Sequence, residues 1–465
     1  MNPFTLACCL CLVLPNLGWA KAPVFGQDRP TPPPTSHNAQ ITFPIVFEYI
    51  APVAHNQAVN RAIERPPAQQ KVADLAAAGH YQTAGDEGLR LMANNENIDD
   101  QLQLIIANSL AWTGRVREAV PAYQGITKGT YANDANVGLA NIHRWRGRDD
   151  LALPLYQQVL ANDPQNAGAL EGLALANQAL AGRTTVGIGG LGDSSELTRH
   201  SQTINHRWRN ASGDQIFELE LHGFTDQLPT SGVDRRDMTF RYQDLGMNLK
   251  PSIELSLPTS NDPRLYATGR IRLLNDQVTV GAGRIDWGQA TINPNVSIAG
   301  LWANYVGIEA TETTSLGTVT AHLDHYGISD GNTIRASGLH FSSAWRPFGK
   351  HFKPFVGLET RTARHENPTY FNAPTYWAPI PGYAVVYTGL FGEWAQPDWT
   401  LFASAQIGAP INGDPGNNWS FSAGGKRWLS DDVALNVNLW SMASWRDDTT
   451  YRSQSFNLNL EKLWR

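Results

Sequence analysis

The chain has 465 residues and a formal net charge of −6, with 36 Lys and Arg against 42 Asp and Glu. That balance excludes the strongly basic signature of a nucleic-acid binder, and the length predicts two or three domains. The three cysteines, Cys8, Cys9 and Cys11, all fall in one N-terminal apolar segment, so thiol and disulfide chemistry are excluded from the rest of the chain.

Leu6–Leu14 is a short apolar run, and Gly18 and Ala20 supply small residues where a signal peptidase reads. This predicts a cleaved signal peptide over 1–20 and a secreted mature chain, although no Lys or Arg precedes the run. No stretch of about 18 apolar residues follows, so no transmembrane helix is expected. Residues 21–71 read as a Pro-rich linker: Pro30–Pro34, interrupted by Thr31, is a stiff spacer, and the apolar Ile41–Ile50 has no assigned role.

Over 72–182 the spacing of apolar residues becomes helical and a longer period appears. Ala107, Asn108, Gly114, Ala119 and Tyr123 recur thirty-three residues later as Ala140, Asn141, Gly147, Ala152 and Tyr156, while Gly79 and Ala84 precede Gly114 and Ala119 by thirty-five. This resembles the tetratricopeptide repeat, whose small residues let paired helices cross closely and whose Tyr packs between repeats. Such stacks present a surface for partner proteins or extended ligands. Trp112, His143, Arg144 and Arg146, near the inter-helix turns, are the candidate partner surface, whereas Tyr123 and Tyr156 read as core.

From 183 to 465 the period drops to two. In Ile216–His222 the apolar Phe217, Leu219 and Leu221 alternate with Glu218, Glu220 and His222, and similar alternation recurs at Ile253–Leu257, Thr318–Asp324 and Phe456–Glu461. About sixteen such segments, apolar on one face and polar on the other, predict a transmembrane β-barrel of antiparallel strands preceded by a short periplasmic helical solenoid. Tight joints are expected at Asn210–Asp214, Lys250–Pro251, Asn275–Asp276, Pro347–Lys353, Ala395–Asp398 and Ser430–Asp432. Long joints are expected at Thr225–Asp237, Asp286–Ser297, Ser329–Arg335, Glu366–Tyr383 and Pro410–Asn418. A soluble sandwich or propeller predicts neither that alternation nor tryptophans near strand ends: Trp208, Trp287, Trp345, Trp394, Trp399, Trp419, Trp428, Trp440, Trp445 and Trp464.

Signal, helical repeats and barrel together resemble the poly-β-1,6-N-acetyl-D-glucosamine export porin (PgaA-like) family. Arg270–Asp276, Ser329–Asn332 followed by Arg335, and Tyr370–Asn372 are similar to stretches of that family's barrel, though the Pro expected after Asn372 comes one position late, at Pro374. The repeat region is much shorter than that family's solenoid. What the resemblance implies is export of a biofilm exopolysaccharide through an electronegative lumen. Its partners would be outer-membrane lipid and a periplasmic polysaccharide-modifying enzyme of the deacetylase kind.

Glu218, Glu220, Glu254, Asp324, Glu359 and Glu461 fall on the predicted lumen face, where carboxylates concentrate cations. Arg207, Arg209, Arg270, Arg272 and Arg361 are expected to face inward as well, giving a lumen of mixed sign. In the longest loop, Tyr370, Phe371, Tyr376 and Trp377 are placed either to stack on sugar rings or to fold inward as a gate. No G-x-S-x-G motif and no His-rich metal spacing accompanies His222, His322 or Asp324, so neither enzymatic activity nor a cofactor or metal is expected. Alternatives are export of another glycan such as cellulose, or an outer-membrane receptor or phage-adsorption protein of the same architecture.

Overall fold

Helical spacing upstream and strict alternation downstream sort the chain into two kinds of structure in the computed structural model. It describes residues 65–464 apart from breaks at 95–96, 127, 195, 259–263, 275, 292, 315, 350, 367–368, 371–372, 375, 377, 381, 397, 413–417 and 447–448. The expected signal segment and most of the linker lie outside the described residues.

Among the described residues seven helices come first: α1 (Pro67–Ala77), α2 (Tyr81–Ala93), α3 (Asp100–Trp112), α4 (Val116–Gln124), α5 (Ala132–Trp145), α6 (Asp149–Asn162) and α7 (Ala167–Leu180). The first starts at Pro67, ahead of the expected change of period at Val72, because Pro at the first helical turn costs no hydrogen bond. Asp99 caps α3 by accepting from the Leu102 N–H at 2.8 Å, and Asn166 caps α7 by accepting from Ala169 N–H at 3.0 Å.

The thirty-three-residue repeat is visible as repeated contacts. Tyr123 Oη donates to Asn108 Oδ1 at 2.6 Å, and Tyr156 Oη donates to Asn141 Oδ1 at 2.6 Å. The hydroxyl end of each ring packs against a glycine of the next helix: a Cβ on Gly138 would sit 2.4 Å from the Tyr123 ring, and one on Gly172 would sit 2.3 Å from the Tyr156 ring. The repeat glycines Gly79, Gly114 and Gly147 share φ near +75°, the left-handed turn that ends a helix and that L side chains resist. Gly138→Ala and Gly172→Ala are each expected to destabilise the stack by about 1–3 kcal/mol, because displacing a buried ring outweighs the roughly 1 kcal/mol gained in helix propensity. A lowered melting temperature of the helical circular-dichroism signal checks this.

The strands are β1 (Gly182–Asp193), β2 (Thr198–Arg209), β3 (Gln215–Leu228), β4 (Ser231–Asp244), β5 (Ser252–Pro258), β6 (Tyr266–Leu273), β7 (Val278–Asp286), β8 (Trp302–Thr314) and β9 (Gly317–Ile328). They continue with β10 (Thr333–Ser343), β11 (Phe352–Ala363), the two-residue pair β12 (Thr369–Tyr370) and β13 (Ala373–Pro374), β14 (Tyr383–Gln396), β15 (Trp399–Asn412), β16 (Asn418–Ser430), β17 (Val433–Arg446) and β18 (Thr449–Trp464). Apart from β12 and β13, each strand pairs with its sequence neighbours, and β18 pairs antiparallel with β1, closing a barrel of sixteen antiparallel strands. Closure leaves no unpaired edge.

Outward positions are apolar and uncovered: Ile188, Leu221, Leu323 and Ile407 are each exposed on the outer wall. A continuous band of this kind belongs in hydrocarbon, so the barrel is a membrane-spanning one. Near the rim that carries the helices, His206, Trp208, Phe217 and Tyr242 stack in an outward row with ring centroids 5.3–5.7 Å apart, the aromatic girdle expected at a lipid interface. Two tryptophans expected at that interface are elsewhere. Trp287 is fully buried in a loop cluster, and Trp440 shares the inward face with Asn436 and Glu461.

Joint lengths differ from expectation. Thr225–Asp237 is not a long loop: β3 and β4 pair out to Leu228 and Ser231, leaving a turn at 229–230. Its polar residues belong to paired charges on the inner wall, where Arg199 holds Asp226 in two 2.5 Å hydrogen bonds and Arg235 holds Asp237 at 3.0 Å. Ser329–Arg335 shrinks likewise to 329–332, while the turns at 245–251 and 344–351 are longer than foreseen. Among the described strands, only the joints at 287–301 and 364–382 are long.

Candidate transport lumen

Inward residues follow from register. Glu218 faces Arg207 and Arg241 across its two neighbouring strands, Arg241 faces Glu254, and Glu309 faces His322. Glu218, Glu220, Glu254, Asp324, Glu359 and Glu461 all lie on this inner face, as do Arg207, Arg209, Arg270, Arg272 and Arg361.

The carboxylates are not a bare acidic lining. Arg241, which drew no attention in the sequence, donates to three of them: to Glu218 at 2.5 Å, to Glu220 at 3.0 Å and to Glu254 at 2.9 Å. Asn205 adds a 2.8 Å hydrogen bond to Glu218. Glu461, completely buried, meets Lys426 at 3.2 Å and Arg183 at 3.5 Å. His322 lies 3.4 Å from Glu359 and 3.8 Å from Asp324, which also accepts from Tyr305 Oη at 3.1 Å. Register could have suggested Arg241 as a cross-strand partner, but only once β4 was known to continue through it. Arg207, Glu218, Arg241, Glu254, Arg270 and Asp324 line a cavity of about 110 Å³ in this half of the barrel.

Toward the other end, the described parts of the two long joints pack against the inner wall. α8 (Trp287–Thr291) and α9 (Pro294–Ile298) fold inward and bury Trp287, Ala290 and Val296 against the inner-wall residues Tyr305, Tyr326, Ile328 and Ile334. Asp286 receives the Gln289 N–H at 2.9 Å and the Arg235 guanidinium, which ties this segment to β4. From the second long joint, Tyr376 sets its ring perpendicular to Trp287 at 5.6 Å and donates to Asp330 at 2.5 Å. Tyr376 is therefore buried in the plug instead of presented outward. Phe371, Trp377 and the Tyr370 side chain lie outside the described residues. Deleting Thr369–Pro381 is expected to raise single-channel conductance in planar bilayers, and an unchanged conductance would show that this segment does not obstruct the lumen.

At the opposite rim the helical stack touches the barrel through its inter-helix turns. Arg146 meets Asp276 at 3.0 Å, Arg148 donates to the Leu245 carbonyl at 2.7 Å while gripping Asp150, and Arg117 bonds Gln277. Arg146, expected on a partner surface, thus faces this chain's own β6–β7 turn. Arg144 lies against the Tyr156 phenol inside the stack, and Trp112 packs edge-on against Tyr81 at 4.7 Å. Burial, then Arg146 and Arg148, push the His143 imidazole below its ordinary pKa. Burial alone would raise Asp276, but Lys250 and Arg146 outweigh it and hold its carboxyl below the usual range.

A closed sixteen-stranded wall, apolar outside and polar within, defines a transmembrane β-barrel of the outer-membrane porin type. No family model and no curated protein matches the sequence. Among solved structures the chain is similar to a bacterial polysaccharide outer membrane secretin, with a TM-score of 0.50 and 11% identity over 62% of this chain and 99% of that one. It is also similar to CdiB from Acinetobacter baumannii (TM-score 0.39, 9% identity, 60% of each chain). A third is OccK11 from Pseudomonas aeruginosa (TM-score 0.35, 9% identity, 61% of this chain and 96% of that one). At these identities the likeness is one of fold.

Proposed function

We propose that this protein is an outer-membrane exporter that passes an exopolysaccharide, of the poly-β-1,6-N-acetylglucosamine kind, through its lumen to the cell surface as biofilm matrix. The observation that carries this reading is the stack of helical hairpins seated on one mouth of a closed barrel. Solute uptake needs no such device, whereas a polymer exporter needs a surface that meets the chain or its modifying enzyme before the pore. The likeness of the barrel fold to a polysaccharide outer membrane secretin supports the same reading.

In this reading the rim that carries the helices lies, with them, in the periplasm, after removal of a signal peptide. The stack is a tetratricopeptide-like module that recruits a deacetylase-like polysaccharide-modifying enzyme on the face turned away from the barrel. In this reading the chain is a conduit and carries out no catalysis. Deleting the gene and staining surface polysaccharide tests it: polymer should be lost from the surface and restored by the full-length chain. Normal surface polymer in the deletion strain would remove the reading.

A further inference from the structure

The lumen has two unlike walls. On β2 to β6 the inward face is charged, with Glu218, Glu220 and Glu254 gathered around Arg241. On β16, β17, β18 and β1 the inward face includes four asparagines flanked by glycines. Register places them in two rows around the wall: Gly424, Asn438, Asn457 and Gly189 in one, Lys426, Asn436, Asn459 and Gly187 in the other. Strand geometry sets neighbouring amides about 5 Å apart across strands and about 7 Å apart along them.

The flanking glycines make room for this patch. A Cβ on Gly187 would fall 1.9 Å from Asn459 Oδ1, one on Gly189 2.4 Å from Asn457 Oδ1, and one on Gly424 2.5 Å from Asn438 Oδ1. The amides therefore lie down over bare backbone and form a shallow floor. Among the described residues none of the four side chains makes a hydrogen bond. Asn436 is completely buried with both Nδ2 and Oδ1 unpartnered, and the buried Asn438 Oδ1 and the Trp440 indole N–H beside it also lack partners. Asn457, at the other corner, is open to the lumen. Buried polar atoms are nearly always satisfied, so a concentration of unsatisfied ones on a single wall marks a place where something else supplies the hydrogen bonds.

We propose that Asn438 and Asn457, the more open pair, with the buried Asn436 and Asn459 behind them, form a hydrogen-bonding strip that carries the uncharged hydroxyl and acetamido groups of a glycan through the barrel. This rests on the export reading and adds which wall the polymer uses and which of its groups are read. A carboxamide donates and accepts at once, which matches hydroxyls and amides in either orientation and has no charge to trap a moving chain. On the ionic wall Glu218, Glu220 and Glu254 are already held by Arg241, and its remaining groups are charged.

The test is binding of a fluorescent N-acetylated hexosamine hexamer to the purified full-length chain in detergent, read by polarisation. Asn438→Ala combined with Asn457→Ala should weaken binding about thirtyfold, as expected for losing two hydrogen bonds worth roughly 1 kcal/mol apiece. Replacing all four by Leu should abolish binding, and the double variant, altered at the more open positions, serves if the fourfold one does not assemble. Wild-type affinity in the double variant overturns the strip and leaves export standing, whereas normal surface polymer in the deletion strain removes export itself. A labelled hexauronate bound as tightly as the neutral hexamer, and weakened equally by the substitutions, overturns the preference for uncharged groups.

Discussion

Arg241→Ala is expected to cost the barrel about 3 kcal/mol and to turn its lumen cation-selective. Three carboxylates converge on that one guanidinium, within 2.5 to 3.0 Å, and all four side chains are largely removed from bulk water. Removing that cation leaves Glu218 and Glu220 on β3 and Glu254 on β5 without it on either side of β4, and breaking a buried ion pair from one side costs about 3–5 kcal/mol because the remaining charge is left uncompensated. Repulsion among three such groups pushes the estimate upward, and lumen water pulls it down. Two measurements check the result: the temperature at which the folded barrel loses its anomalous gel mobility, and the reversal potential in a salt gradient. Adding Glu218→Gln, Glu220→Gln and Glu254→Gln to the Arg241→Ala chain should restore both. A single variant with wild-type stability and selectivity would mean that the carboxylates are neutralised by something other than Arg241.

The same cluster shows where the sequence was readable and where it was not. Alternation in Phe217–His222 puts Glu218 and Glu220 on one face of a strand, because side chains on a pleated ribbon must alternate. It says nothing of which strand lies alongside, so an inward acidic row looks like an electronegative pore until Arg241 is brought across from β4. Paired charges also disguise strand ends. Thr225–Asp237 is rich enough in Asp and Arg to read as a loop, yet Asp226, Arg235 and Asp237 are buried and bonded, which lets the strands run on. Tryptophans misled for a related reason: Trp287 and Trp440 are amphipathic enough for an interface, and their actual places depend on a folded loop and on register. The helical repeat was legible in detail because its contacts are local. Tyr123 and Asn108 lie fifteen residues apart, and the same pair recurs as Tyr156 and Asn141. Arg146 was misplaced because its partner, Asp276, is 130 residues downstream.

Where stack meets barrel, Asp149→Asn is expected to stabilise the full-length chain at neutral pH by up to about 3 kcal/mol. Asp149 opens α6 and is only 3% exposed, and its Oδ1 has no hydrogen-bond partner. Burial dominates its surroundings, Arg209 and Arg144 offset only part of that, and the carboxyl is pushed up to about 6 from an ordinary 3.8. The folded state thus holds the proton more tightly than the unfolded chain. Stability from this group is complete below about pH 4 and is lost as pH rises through about 6, and a shift of that size corresponds to about 3 kcal/mol. Asparagine keeps the volume and removes the charge, so the variant should gain most at pH 7 and nothing at pH 4. The neighbouring Asp276 runs the other way: its pairs with Arg146 and Lys250 depress its pKa, so its contribution is present above about pH 4 and fades only in stronger acid. Melting curves across pH 3 to 8 separate the two windows. An Asp149→Asn chain that melts lower than wild type at pH 7 would show that the carboxylate is held by Arg209 and Arg144 as a working ion pair, and that this joint is fastened by charge where the geometry indicates a buried penalty.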